Sequence, residues 1–105
     1  RQKDLERNLQ RILLQLKDMG ARKIVLFGSV ARGDISAHSD LDLLAIMSTS
    51  RTGKEWIAKI YEEVDRGIAS DIVAYNEREL EEMLPVSRFL RQVLREGKVI
   101  YEAQS

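Results

Sequence analysis

Three short runs of this sequence hold side chains whose types and spacing could do chemistry. Ser39-Asp40-Leu41-Asp42 opens an otherwise apolar run that continues to Met47. Alternation along a strand places Asp40 and Asp42 on one face, about 7 Å apart at the backbone, with Leu41 and Leu43 on the other. Two carboxylates so placed repel each other unless water or a counter-ion intervenes. Hard divalent cations such as Mg²⁺ take carboxylate oxygens together with substrate phosphates. Two such ions, about 3.5–4 Å apart, can activate an attacking oxygen and stabilise a leaving one. The plainer reading is a solvated strand end, and this pair alone does not choose between the two. Asp71 is a third acid, at the start of the apolar run Ser70-Asp71-Ile72-Val73. If that strand lies beside the second, Asp71 reaches the same cations and can accept a proton from an attacking hydroxyl. Alone, an acid at a strand start is more often solvated or capping.

The remaining run is Phe27-Gly28-Ser29-Val30-Ala31-Arg32-Gly33-Asp34. A strand ends in Gly-Ser and passes straight into a turn or helix start. Glycine lets the backbone approach a ligand closely, and a serine hydroxyl with free amides at a helix start can hold an anion such as a triphosphate. A Gly-Ser turn on its own is commonplace. The planar fork of Arg32 suits a phosphate, but it could equally pair with Asp34 or a strand-end acid.

These runs need elements to position them. Leu5, Leu9, Ile12, Leu13, Leu16 and Met19 recur at spacings of three and four, one face of an amphipathic helix that Gly20 closes. Lys23–Phe27 is a short strand buried on both faces. Gly28–Ser39 is a loop with a helical turn near Ser29–Arg32. Asp40–Met47 is the second strand and Ser48–Gly53 a turn. Lys54–Arg66 is a helix with Ile57, Ile60 and Val64 on its apolar stripe, and Ser70–Tyr75 is the third strand. Asn76 caps a short helix, with Glu79 completing a capping box. Pro85 suits the first turn of a last helix with Val86, Phe89, Leu90, Val93 and Leu94 inward, and Lys98–Tyr101 is a final strand. The order α-β-β-α-β-α-α-β predicts an α/β (α+β) architecture, a small mixed sheet flanked by helices.

The 105 residues fit one domain, 1–105, with a working core but little room for a separate substrate domain. The chain opens on Arg1, so a few residues are expected to precede it. Without cysteine, a disulfide framework and a thiolate metal site are excluded. No apolar run approaches the roughly 20 residues that span a bilayer, and no signal-peptide pattern opens the chain; a cytoplasmic location is the expectation. Net charge is zero, but residues 1–33 carry eight Lys/Arg against three Asp/Glu, and residues 34–75 carry four against eight. That polarity suits a site holding a cation and a polyphosphate, or it is chance clustering on solvated faces. No broad nucleic-acid-binding surface is indicated.

Taken together, Gly28-Ser29-Val30-Ala31-Arg32-Gly33-Asp34 and Ser39-Asp40-Leu41-Asp42-Leu43-Leu44 resemble the signature of the minimal nucleotidyltransferases (MNT) of the polymerase β-like superfamily. The leading helix, the strand carrying Asp71 and the closing Glu96-Gly97-Lys98-Val99-Ile100-Tyr101 also look like the family. The resemblance implies that Gly28 and Ser29, with Arg32 beside them, hold the triphosphate of ATP. It implies that Asp40, Asp42 and Asp71 bind Mg²⁺, and that Asp71 serves as or assists the base. It further implies a small helical HEPN-type partner: a toxin that the chain, as antitoxin, adenylylates on a tyrosine. The rival readings are a binding-only antitoxin with a vestigial site and a small-molecule adenylyltransferase. His38, the single histidine, reads as an exposed loop residue. Trp56 and Tyr61 read as helix-packing or partner-contact residues. Tyr75 and Tyr101 read as strand-end packing, and Arg88, Arg91 and Arg95 as a solvated face.

Overall fold

The computed structural model describes residues 2–34, 40–67 and 69–104. Helix α1 (Gln2–Asp18) buries Leu5, Ile12, Leu13 and Leu16. It ends as its sequence predicts: Gly20 takes φ +89°, its N–H donates to Lys17 O, and the Ala21 N–H reaches back to Leu16 O. This pair of bonds satisfies two carbonyls that the helix leaves open. Strand β1 (Lys23–Phe27) runs into the four-residue helix α2 (Gly28–Ala31). Then follow β2 (Leu41–Met47), α3 (Gly53–Glu63), β3 (Ser70–Asn76), α4 (Glu77–Met83), α5 (Arg88–Glu96) and β4 (Lys98–Glu102).

The four strands form one mixed sheet in the order β3-β2-β1-β4, and five helices flank it among the described residues. β1 is antiparallel to β2 and β4, while β2 and β3 are parallel. This arrangement brings the end of β1 and the beginnings of β2, β3 and β4 to one edge of the molecule. Alternation sorts the side chains into two cores. Ile24, Leu26, Leu41, Leu43, Ala45 and Met47 pack against α1 and α3. Val25, Leu44 and Ile46 pack against Leu90 and Val93 of α5. By the same parity Asp42 stands on the α5 side of the sheet.

Three expectations on the elements need correction. The second strand begins at Leu41, so Asp40 precedes it rather than belonging to it. The middle helix begins one residue earlier than expected, with Thr52 and Glu55 forming a capping box, and ends at Glu63 rather than Arg66. The early end has a cause in another element. Gln15 on α1 receives the Asp65 N–H at 2.8 Å and donates to Asp65 O at 2.7 Å. This amide clamp replaces helical hydrogen bonds and lets Val64 turn extended into the core. Last, Pro85 lies in the turn between α4 and α5, not in a helix. Ser87 caps α5 through the Leu90 N–H, and Val86 is 73% exposed instead of facing the core. The capping box of Asn76 and Glu79 forms as expected, and Glu79 Oε1 also accepts from Gly53 N, tying α4 to the start of α3.

Candidate functional site

The register of the sheet assembles the candidate residues at this edge. Phe27 pairs with Asp42 across the antiparallel β1–β2 ladder, and Asp42 pairs with Asp71 across the parallel β2–β3 ladder. Two carboxylates predicted from separate strands therefore stand directly opposite one another. Asp40, exposed one residue before β2, lines an open cleft of about 610 Å³ together with Asp71, Asp65 and Arg66.

Gly28 shows why glycine ends β1. Its φ of +78° lies in the left-handed region, where a side chain is strained. A Cβ there would also sit 2.2 Å from Asp42 Oδ2 and 3.0 Å from Asp42 Cγ. The backbone at Gly28 is thus pressed against the Asp42 carboxylate, so the predicted phosphate loop begins beside one of the predicted acids. Helix α2 starts with no side-chain cap from Phe27. Arg32 closes the helix, its N–H near Gly28 O and Ser29 O at 3.3 and 3.1 Å, and its charge acts on Asp42.

Electrostatics mark Asp42. Its carboxyl is held above the ordinary 3.8, first by burial, then by the charges of Asp71 and Asp40, with partial relief from Arg32. Like charges at close quarters favour the protonated form of one of them. A divalent cation would remove that penalty, and Asp42 and Asp71 are the facing pair that could hold one. Among the described residues no three His, Asp or Glu side chains converge tightly enough to hold an ion by themselves. Mg²⁺ asks for less, because it commonly takes one or two carboxylates and completes its shell with substrate phosphates and water.

Tyr61 was read from sequence as a packing or contact residue, but it belongs to this neighbourhood. Its hydroxyl lies 3.4 Å from Asp71 Oδ1 and accepts the Ile72 N–H at 2.9 Å. The Arg66 guanidinium stacks on its ring at 4.4 Å and donates to Ser70 O. β3 is an edge strand, so the Ile72 N–H has no strand partner on that side, and Tyr61 supplies one. No local sequence pattern pointed to this contact across ten residues. Trp56 behaves as read: it is buried, and its indole N–H donates to Ser48 O at 2.9 Å. Arg91 of the basic helix face donates to the carbonyls of Leu84 and Pro85. Ser36, His38 and Ser39 lie outside the described residues.

A small mixed sheet with helices on both faces, and acids meeting a Gly-Ser turn at one edge, is the nucleotidyltransferase fold. The family model described as Polymerase beta, Nucleotidyltransferase matches residues 7–105, and the chain belongs to that family. A solved structure assigned to the minimal nucleotidyltransferases is 34% identical, with a TM-score of 0.65 over 90% of this chain and 91% of that one. A Sulfolobus solfataricus protein, assigned as a nucleotidyltransferase, shares the fold at 16% identity and a TM-score of 0.61, covering 94% and 86% of the two chains. A toxin–antitoxin structure with AMP-PNP also contains the fold, at 24% identity and a TM-score of 0.54, covering 90% of this chain and 73% of that one. No curated protein sequence matches the chain. Among the described residues, no helix is long and apolar enough to cross a membrane.

Proposed function

We propose that this chain transfers AMP from Mg²⁺–ATP to a hydroxyl on a partner protein, a small helical HEPN-type toxin that it silences as an antitoxin in the cytoplasm. One observation carries the reading: Asp42 and Asp71 oppose each other in register while Gly28 is pressed against the Asp42 carboxylate. In this assignment the backbone at Gly28 and Ser29 holds the triphosphate, and Arg32 adds positive charge beside it. Asp42 and Asp71, with Asp40 beside them, would hold the divalent cation together with substrate phosphates and water. The ion when bound would neutralise phosphate charge and acidify the acceptor hydroxyl.

The acceptor oxygen attacks the α-phosphorus in line. The new P–O bond forms as the bond to the bridging oxygen breaks, and pyrophosphate leaves with that electron pair. Asp71 takes the acceptor proton. Little else is asked of the protein, because phosphoryl chemistry of this kind is mostly positioning and charge stabilisation. The partner half of the reading is supported by the open cleft beside Asp40 and Asp71, which a docked acceptor would close. It is also supported by the occurrence of this fold in a toxin–antitoxin assembly solved with AMP-PNP.

The test uses ATP labelled at the α-phosphate, Mg²⁺ and a lysate of the source organism, comparing wild type with Asp42→Asn. A labelled protein band seen only with wild type is the expected result, and its mass identifies the partner. Label in small molecules would move the acceptor to a metabolite. Stable partner binding without any transfer would overturn the mechanism in favour of occlusion.

A further inference from the structure

We infer that the cleft between α2 and α5 receives the base and ribose of the nucleoside triphosphate, with the exposed ring of Phe89 as its stacking surface. The inference deepens the nucleotidyltransferase reading and rests on it. The cleft measures about 480 Å³, within the roughly 300–1,000 Å³ of small-molecule sites. Its lining includes Gly28, the residue that abuts the Asp42 carboxylate, so the cleft borders that acid through one shared residue. A ligand spanning both needs an anionic, cation-binding end and a flat apolar end, and a nucleoside triphosphate has that division.

The lining is divided in the same way. Phe27, Ala31, Phe89 and Val93 give apolar surface, while Arg32, Gln92 and Glu96 bring a guanidinium, an amide and a carboxylate. Phe27 and Phe89 meet edge to face, with centroids 5.7 Å apart and planes at 82°. Such a pair leaves at least one ring face uncovered for a planar base. Phe89 is 42% exposed, although Leu90 and Val93 of the same helix are buried. The exposed part of Phe89 lies on the wall of this cleft, where a planar ligand could cover it. The Gln92 amide both donates and accepts, and the Glu96 carboxylate accepts, so the cleft carries groups able to read a base edge.

The test measures affinities for Mg²⁺–ATP and Mg²⁺–tripolyphosphate by calorimetry in wild type, Phe89→Ala, Phe89→Tyr, Gln92→Ala and Asp42→Asn. Phe89→Ala is expected to weaken ATP about five- to hundred-fold, the span of one base stacked on an aromatic ring, and to leave tripolyphosphate unchanged. Phe89→Tyr keeps the ring and is expected to bind ATP as wild type does. Gln92→Ala is expected to narrow the spread of affinities among ATP, GTP, CTP and UTP. An unchanged ATP affinity in Phe89→Ala, with both ligands weakened by Asp42→Asn, overturns this inference and leaves the proposed function standing. Equal loss of both ligands in Phe89→Ala also overturns it, since the ring would then be supporting the loop. If wild type binds neither ligand, both readings fall.

Discussion

Replacing Gly28 by alanine separates two costs that this position combines. The first is backbone strain: at φ +78°, a Cβ costs about 1–2 kcal/mol. The second is steric. The new Cβ would lie 2.2 Å from Asp42 Oδ2, and the closest ordinary C···O separation is roughly 3.3 Å, so the carboxylate must move by about 1 Å. The oxygen is the free end of a short side chain and can yield, so the fold should survive while the site does not. Gly20→Ala is the matched control: its φ is +89°, yet nothing lies within 4 Å of the added Cβ. Both variants should lose about 1–2 kcal/mol, or about 4–8 °C in Tm per kcal/mol for a domain of this size. Mg²⁺–ATP stabilisation should distinguish them. At a ligand concentration a hundred times the wild-type Kd it contributes about 2.7 kcal/mol. A displaced carboxylate that weakens binding a hundred-fold would leave about 0.4 kcal/mol. Thermal melts with and without Mg²⁺–ATP measure all of this. A folded Gly28→Ala protein with the full ligand-induced shift would refute the link between the loop and Asp42.

Two further substitutions test the acids and their support. Because the folded-state pKa of Asp42 is raised, the native state binds that proton more tightly than the unfolded chain. Stability of the cation-free protein should therefore fall as pH rises from about 3.8 through the folded pKa, and stay lowered at neutral pH. Asp42→Asn should be more stable than wild type at pH 7 in EDTA, by up to about 1 kcal/mol after solvent screening, and should lose that advantage in acid. An Asn variant no more stable at pH 7 would count against the repulsion. Tyr61→Phe removes the hydroxyl that meets Asp71 and the Ile72 N–H. It should cost about 1 kcal/mol, speed amide exchange at Ile72 and slow AMP transfer; unchanged exchange would show that the hydroxyl does not hold that edge.

The elements were legible in the sequence wherever one local signal settled them. The 3–4 spacing from Leu5 to Met19 and the glycine after it gave α1, and Asn76 with Glu79 gave the start of α4. Errors came where a distant side chain decided the boundary. Nothing in Lys54–Arg66 says that the helix stops at Glu63, because the residue that stops it is Gln15, which holds Asp65 from fifty positions away. Pro85 read as a helix start because proline fits the first turn, but Ser87 was the better cap and took that role. The facing of Asp42 and Asp71 depends on a register that neither strand encodes alone. Tyr61 was hidden for the same reason, since its contacts exist only once α3 lies beside β3.

That topology also explains why the candidate site could assemble in so short a chain. Parallel pairing of β2 and β3 puts the first residues of both strands at one edge, and antiparallel pairing brings the last residue of β1 there. The antiparallel β4 starts at the same edge, so the end of α5 arrives beside Gly28. Had β3 paired antiparallel, Asp71 would lie at the far end of β2, some six residues or about 20 Å away. The crossover through α3 is therefore part of the site as well as of the core. It sets β3 parallel to β2, and it carries Tyr61, whose hydroxyl meets the Asp71 carboxylate. Lengthening the connection after Glu63 should leave the α1–β1–β2 core in place while loosening the register of Asp71 against Asp42. A chain of this kind should therefore lose cation and nucleotide binding before it loses its fold.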